Sequence, residues 1–204
     1  MRLELGREPG LHNGDRMSRD EFMRRWEQIP ELKHAELIGG VVYLEPQVSL
    51  DHGLYDALLN TWLGYYLYAA GENFAITSNA TLLLGDSSFQ PDIAMFHPAS
   101  PTKYLEQIPD LIVEISYSSR SYDLGVKLAA YRSAGLHEYV TVLLEEQRVE
   151  WRVLTGSRYR LVEASKDGFI RSSQFRGLWL DTNALFPADR KRLFAAIDRG
   201  LSAT

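Results

Sequence analysis

Apolar residues along this chain follow two rhythms, short unbroken runs and recurrences every three or four positions, and the two alternate. Residues 110–134 contain both. Asp-Leu-Ile-Val-Glu-Ile-Ser (110–116) is an apolar run without alternation, which predicts a strand buried on both faces. It carries a carboxylate, Glu114. Beyond a polar bend, Leu124, Leu128 and Tyr131 are spaced to share one helical face. At about 100° per residue, Lys127 falls inside that stripe. A carboxylate within a buried strand and an inward-facing lysine are costly unless something pairs them.

Elsewhere the same rhythms predict a mixed α/β order. Ser18 and Glu21 form a capping-box pattern that starts a helix running to about Gln28, with Phe22, Met23 and Trp26 on its apolar side. Residues 36–38 and 41–44 flank Gly39-Gly40, a hairpin signal, and Glu45-Pro46 closes the second strand. A long helix is expected from Ser49 to Ala70. Its wide face, Leu54, Tyr55, Leu58, Leu59, Trp62, Leu63 and Tyr66, suits a core helix, and part of it could serve a homodimer. Gly71 ends it.

Short strands follow at 74–77 and 81–84, then a turn through Gly85-Asp86-Ser87, then a proline-opened strand from Gln90 to Phe96. Residues 98–109 form a loop. After Gly135, residues 138–144 make another apolar strand, and the order strand, helix, strand implies a parallel pair. Val149, Trp151 and Val153 alternate with Arg148, Glu150 and Arg152, which predicts an antiparallel strand with one wet face. Tyr159–Val162, a short strand near Phe169, a packed Leu178–Leu180 and a terminal helix opened by Pro187 complete the chain. Without repeats or linkers, residues 18–204 read as one domain behind a loose arm, 1–17.

Composition narrows the class. At 204 residues, 45% hydrophobic and 24% charged, the chain is an ordinary globular protein. No apolar run approaches the roughly 20 residues of a membrane span, and the N-terminus lacks the pattern of a signal peptide. The absence of cysteine excludes disulfides, thiolate metal sites and a cysteine nucleophile, and suits the cytoplasm. A net charge of −5 argues against an indiscriminate nucleic-acid coat but leaves room for a local basic groove. There is no phosphate-cradling glycine motif and no Gly-x-Ser-x-Gly elbow.

Three carboxylates sit at interpretable places: Glu36 and Asp92 at strand starts, and Glu114 within the central strand. If the strands of Asp92 and Glu114 are neighbours, the two side chains meet about 4.5–5.5 Å apart. Two such charges repel unless a cation lies between them. With oxygen ligands only, the matching ion is Mg²⁺ or Mn²⁺, which keeps waters and accepts substrate phosphate. An ammonium at Lys127 would then stabilise phosphodiester hydrolysis.

Pro91-Asp92, Glu114 and Lys127 resemble the active site of the PD-(D/E)XK nuclease superfamily, with the lysine moved from position 116, here a serine, to the following helix. Glu36-Leu-Ile-x-Gly40, Pro91-Asp92-Ile93, Val113-Glu114-Ile115, Tyr122-Asp123-Leu124-Gly125-x-Lys127-Leu128 and Gly135-x-x-Glu138-Tyr139 together are similar to the Uma-type family of restriction endonucleases, over about residues 18–186. The resemblance implies a restriction-endonuclease-like mixed central sheet flanked by helices, with antiparallel hairpin additions. It also implies a DNA endonuclease in which Asp92, Glu114 and the Ile115 carbonyl hold Mg²⁺ or Mn²⁺, Lys127 is catalytic and Glu36 is an auxiliary acid. Where the family carries Leu-Ser-Pro-Ser after its glutamate, this chain has Ser116-Tyr117-Ser118-Ser119; Gly39 and Val140 also depart from the pattern.

Simpler roles exist for several of these residues. Glu114 and Lys127 could be a structural ion pair, and His52 a capping or packing residue. Asp123 reads as a first-turn carboxylate favoured by the helix dipole. Arg120, Arg148, Arg152, Arg158 and Arg160 could flank a DNA groove, but isolated solvated arginines on a hairpin are the simpler reading. The competing function is a catalytically silent binding or dimerisation module on a nuclease fold.

Overall fold

The computed structural model describes residues 10–44, 48–98, 102–117 and 122–203. The first nine residues of the arm, the strand-closing Glu45-Pro46, part of the 98–109 loop and the bend at Ser118–Ser121, with Arg120, lie outside them.

Local chemistry sets the first elements. Ser18 accepts a hydrogen bond from the Glu21 amide and opens α1, Arg19–Trp26. Strands β1, Ala35–Ile38, and β2, Val41–Leu44, pair antiparallel around Gly39 and Gly40, whose φ angles of 57° and 78° suit the tight turn. Helix α2, Leu50–Ala70, is capped by the Ser49 hydroxyl and stopped by Gly71 in the left-handed region. None of the described helices is long and apolar enough to cross a membrane.

The remaining strands are β3 (Ala75–Ser78), β4 (Leu82–Leu84), β5 (Ser87–Phe89), β6 (Ile93–Phe96), β7 (Leu111–Ser116), β8 (Glu138–Leu143), β9 (Arg148–Thr155), β10 (Arg158–Val162), β11 (Phe169–Arg171) and β12 (Trp179–Asp181). A six-stranded sheet runs β10-β9-β8-β7-β6-β3, with β7 and β8 parallel and the other pairs antiparallel. A four-stranded sheet runs β2-β1-β5-β4. The segment between β7 and β8 begins with a π-helical turn, Asp123–Lys127, and continues as α3, Leu128–Ala134. Two helices close the chain, α4 (Thr182–Leu185) and α5 (Arg190–Ser202).

Alternation along β7 divides the molecule. Leu111, Val113 and Ile115 join the cluster that buries Leu58, Leu59, Trp62, Leu63 and Tyr66 of α2. The apolar face of that helix is therefore mostly spent on the core, leaving Leu50 and Leu54 exposed. On the opposite side, Ile112 packs with Tyr131, Tyr139, Ile38 and Phe89. Glu114 shares the Ile112 side, facing the smaller sheet and the π turn.

Several expectations change. Residues 10–17 are not loose: Leu11 is buried and Gly14, Asp15 and Met17 hydrogen-bond to β2 and its turn. Strand β5, where a turn was expected at Ser87, links the smaller sheet through Leu37↔Ser88 and Leu82↔Phe89. The strand after it starts at Ile93, because Pro91 has no N–H to give a ladder. Asp189, not Pro187, caps the terminal helix. The second face of β9 is not simply wet, since Glu150 is buried and ion-paired to Arg148 and Arg152.

Glu138, at the start of β8, is fully buried and is held by neutral donors. Trp151 Nε1 (2.9 Å), the hydroxyls of Ser172 and Ser173, and the amides of Ser173 and Gln174 all donate to its carboxylate. It pins the 172–174 loop against the sheet. Glu138→Ala leaves those donors unpaired and is expected to cost at least about 3 kcal/mol, a fall of roughly 6–12 °C in Tm. A thermal melt within about 2 °C of wild type would show that the loop does not depend on it.

Candidate functional site

The carboxylates and the lysine singled out in the sequence converge on the Glu114 side of β7. Lys127, the last residue of the π turn, sits with only 1% of its surface exposed. Its Nζ lies 3.1 Å from Glu114 Oε1, 3.2 Å from Glu36 Oε2 and 3.9 Å from Asp123 Oδ1. A π turn closes i→i+5 hydrogen bonds and is common at functional sites. The inward placement expected from α-helical spacing holds, although the backbone carrying it is not α-helical.

Each partner is itself held. Glu36, fully buried on β1, accepts the Gln90 amide at 2.6 Å and the Tyr122 hydroxyl at 2.6 Å. The Lys127 ammonium also stands 5.3 Å from the Tyr122 ring centroid, within cation–π range. Tyr131 donates its hydroxyl to Glu114 Oε1 at 3.1 Å, and Tyr139 donates to the Asp123 carbonyl at 3.0 Å. Asp123 thus belongs to the cluster, where a helix-dipole role was the simpler expectation.

Asp92 precedes β6. The antiparallel register Ile93↔Val113 places it, one step further, opposite Glu114. Its Oδ2 accepts the Ile115 amide at 2.6 Å, so the main-chain atom engaged by Asp92 is the Ile115 N–H. Its Oδ1 lies 3.0 Å from His52 Nε2, on the first turns of α2. His52 is therefore neither a helix cap by its side chain nor plain packing. Asp56, one turn on from His52, has its carboxyl pushed up by burial and by the Asp92 charge, while His52 pulls it back.

Burial pushes the Glu114 carboxyl well above the ordinary range; Lys127 pulls it down, and Asp92, Asp123 and Glu36 push it up again. Among the described residues, Asp92, Asp123 and Glu36 surround the Glu114–Lys127 pair, with His52 on the outer side. Clustered oxygen donors of this kind suit a hard divalent cation. Among the described residues no three Asp, Glu or His side chains converge as an all-protein cage. A two-carboxylate site completed by water is the coordination Mg²⁺ commonly takes.

His52 and Asp56 were not singled out together in the sequence. Their signal was an i, i+4 polar pair near the start of an otherwise apolar helix. Arg148, Arg152 and Arg158 are not brought to this cluster.

Residues 19–183 match the Uma2 family model, described as “Putative restriction endonuclease”. No curated protein matches the chain. Among solved structures, one described as a “putative nuclease belonging to DUF820” from Anabaena variabilis is similar with a TM-score of 0.70 and 18% identity. The match covers 84% of this chain and 98% of that one. At that identity the similarity concerns the fold, which is the nuclease-like mixed sheet described above.

Proposed function

The chain belongs to the Uma2 family of putative restriction endonucleases, and on that premise we propose that it is a metal-dependent endonuclease hydrolysing DNA phosphodiester bonds. The observation that carries the reading is the Lys127 ammonium 3.1 Å from Glu114, on a strand position that faces Asp92. A structural ion pair needs only the first two. The third, Asp92 opposite Glu114, is what a cation site requires.

In this reading Asp92 and Glu114, with the Ile115 carbonyl, hold Mg²⁺ or Mn²⁺. When bound, the ion supplies Lewis acidity and lowers the pKa of a coordinated water. Lys127, oriented by Glu36 and Asp123, offers N–H donors to the attacking water or to the charge developing on the phosphoryl oxygens. Glu36 is a positioning residue, fixed by the Gln90 amide and the Tyr122 hydroxyl. His52 holds Asp92 in orientation, as partners of metal ligands generally do. Buried walls around Glu114 exclude bulk water and strengthen each of these interactions.

The test pairs cleavage with metal binding. Wild-type protein is expected to nick supercoiled plasmid in Mg²⁺ or Mn²⁺ and to give a calorimetric heat with Mn²⁺. Asp92→Ala should lose both, cleavage falling by about a thousandfold or more. Cleavage that persists in Asp92→Ala sinks the assignment. Metal binding without cleavage would leave a silent nuclease-fold module instead.

A further inference from the structure

A second basic feature lies on the other flank of the helix that carries Lys127. Gly125, Leu128, Ala129 and Arg132, from the π turn and α3, meet Arg152 of β9 and Arg158 and Tyr159 of β10 around a cavity of about 300 Å³. Three arginines from three different elements thus line one concavity. Arg152 is ion-paired to Glu150 through Nη2, while its Nη1 is sealed from solvent without a hydrogen-bond partner. Among the described residues, neither Arg132 nor Arg158 has an acidic partner, and both are exposed. Tyr159 forms part of the wall, its hydroxyl anchored on the Leu136 carbonyl at 2.8 Å. Arg132 and Arg152 both pull the Tyr159 hydroxyl toward ionisation against the larger effect of burial, so both charges reach the same ring.

Like charges gathered this way repel unless an anion sits among them. A planar guanidinium fork matches the oxygens of phosphate and is retained for that purpose where a lysine would supply only a point charge. A cavity of this size is at the lower end of those that hold small ligands.

We propose that Arg132, Arg152 and Arg158, with Tyr159 as the wall, form a phosphate-binding site separate from the Asp92–Glu114–Lys127 cluster. The phosphate has two sources with the same chemistry, a backbone phosphate of a nucleic-acid strand or a small phosphorylated compound. The first rests on the nuclease reading, in which this pocket grips the strand away from the bond that is cut. The second does not.

The experiment uses the full chain in EDTA, with a short fluorescent DNA duplex and with inorganic phosphate as separate probes. Arg132→Ala/Arg158→Ala, both at exposed positions, should weaken duplex binding about ten- to a hundredfold. It should lower the salt slope by about one and abolish the phosphate heat. A far-UV circular-dichroism spectrum and thermal melt matching wild type show that the fold of the variant is intact. Loss of the phosphate heat with unchanged duplex binding keeps the site and assigns it to a small phosphorylated ligand. Both probes binding the variant as they bind wild type, or neither binding wild type, overturns the proposal. Failure of the nuclease reading shows separately, as wild-type protein that does not cleave DNA in Mn²⁺.

Discussion

Lys127→Met is expected to lower the stability of the metal-free protein by about 3–5 kcal/mol and to reduce any metal-dependent cleavage by about 10²–10³-fold. Methionine fills the stem of the lysine but leaves Glu114, Glu36 and Asp123 buried around an apolar tip. Lys127 is the group that pulls the Glu114 carboxyl down, so without it that carboxyl rises further from its ordinary value. The sign of the pH effect follows. A carboxyl whose folded pKa lies above its unfolded value contributes stability at low pH, and that stability is lost as pH climbs through the folded pKa. The deficit of Lys127→Met should therefore be small near pH 5 and large near pH 8, which urea titrations in EDTA at the two pH values will measure. A pH-independent deficit would mean that lost packing, not uncompensated charge, is responsible.

Glu114→Gln is expected to behave oppositely in stability and alike in activity. Glutamine keeps the length of the side chain and an oxygen that can accept the Tyr131 hydroxyl. It removes one of four clustered acids, while Lys127 keeps Glu36 at 3.2 Å. Because burial already holds the Glu114 carboxyl well above the ordinary range, the wild-type, metal-free protein should lose stability as pH rises, and the variant should lose less. At pH 8 Glu114→Gln should melt at or above the wild-type temperature, yet give no Mn²⁺ heat and no cleavage. A stable variant without function marks a charge kept for chemistry at the expense of stability. If Glu114→Gln is as damaged as Lys127→Met, the two residues are a structural ion pair and the catalytic reading fails.

How far the sequence carried this picture depended on the kind of residue. The apolar run at 111–116 and the stripe of Leu124, Leu128 and Tyr131 marked inward faces, with Tyr131 buried and both leucines half-buried, so Glu114 and Lys127 stood out against them. Gly39-Gly40 announced its turn for an equally local reason. Glu36 and His52 gave no such signal. Whether a polar side chain at the start of a strand or helix is buried depends on what lies opposite, here Lys127 and Asp92 from elsewhere in the chain. Strand β5 was missed because Ser87-Ser88 has no apolar pattern and its pairing with β1 spans about fifty residues. The π turn was invisible for another reason, since a fixed 100° step presupposes an α-helix. The arginines around Tyr159 looked solvated one by one; only the fold brings Arg132 beside the hairpin.

The docking of residues 10–17 has a consequence at the outer border of the smaller sheet. Strand β2 ends the order β2-β1-β5-β4, so its outward N–H and C=O groups would otherwise be open to any passing strand. Instead the Gly14 amide takes the Val42 carbonyl, the Val42 amide takes Asp15, and Arg16 bridges Val41. A stretch that reads as a loose arm in the sequence is thereby a guard against self-association. A chain trimmed to begin at Ser18 would keep the acidic cluster and expose a template for aggregation beside Glu36.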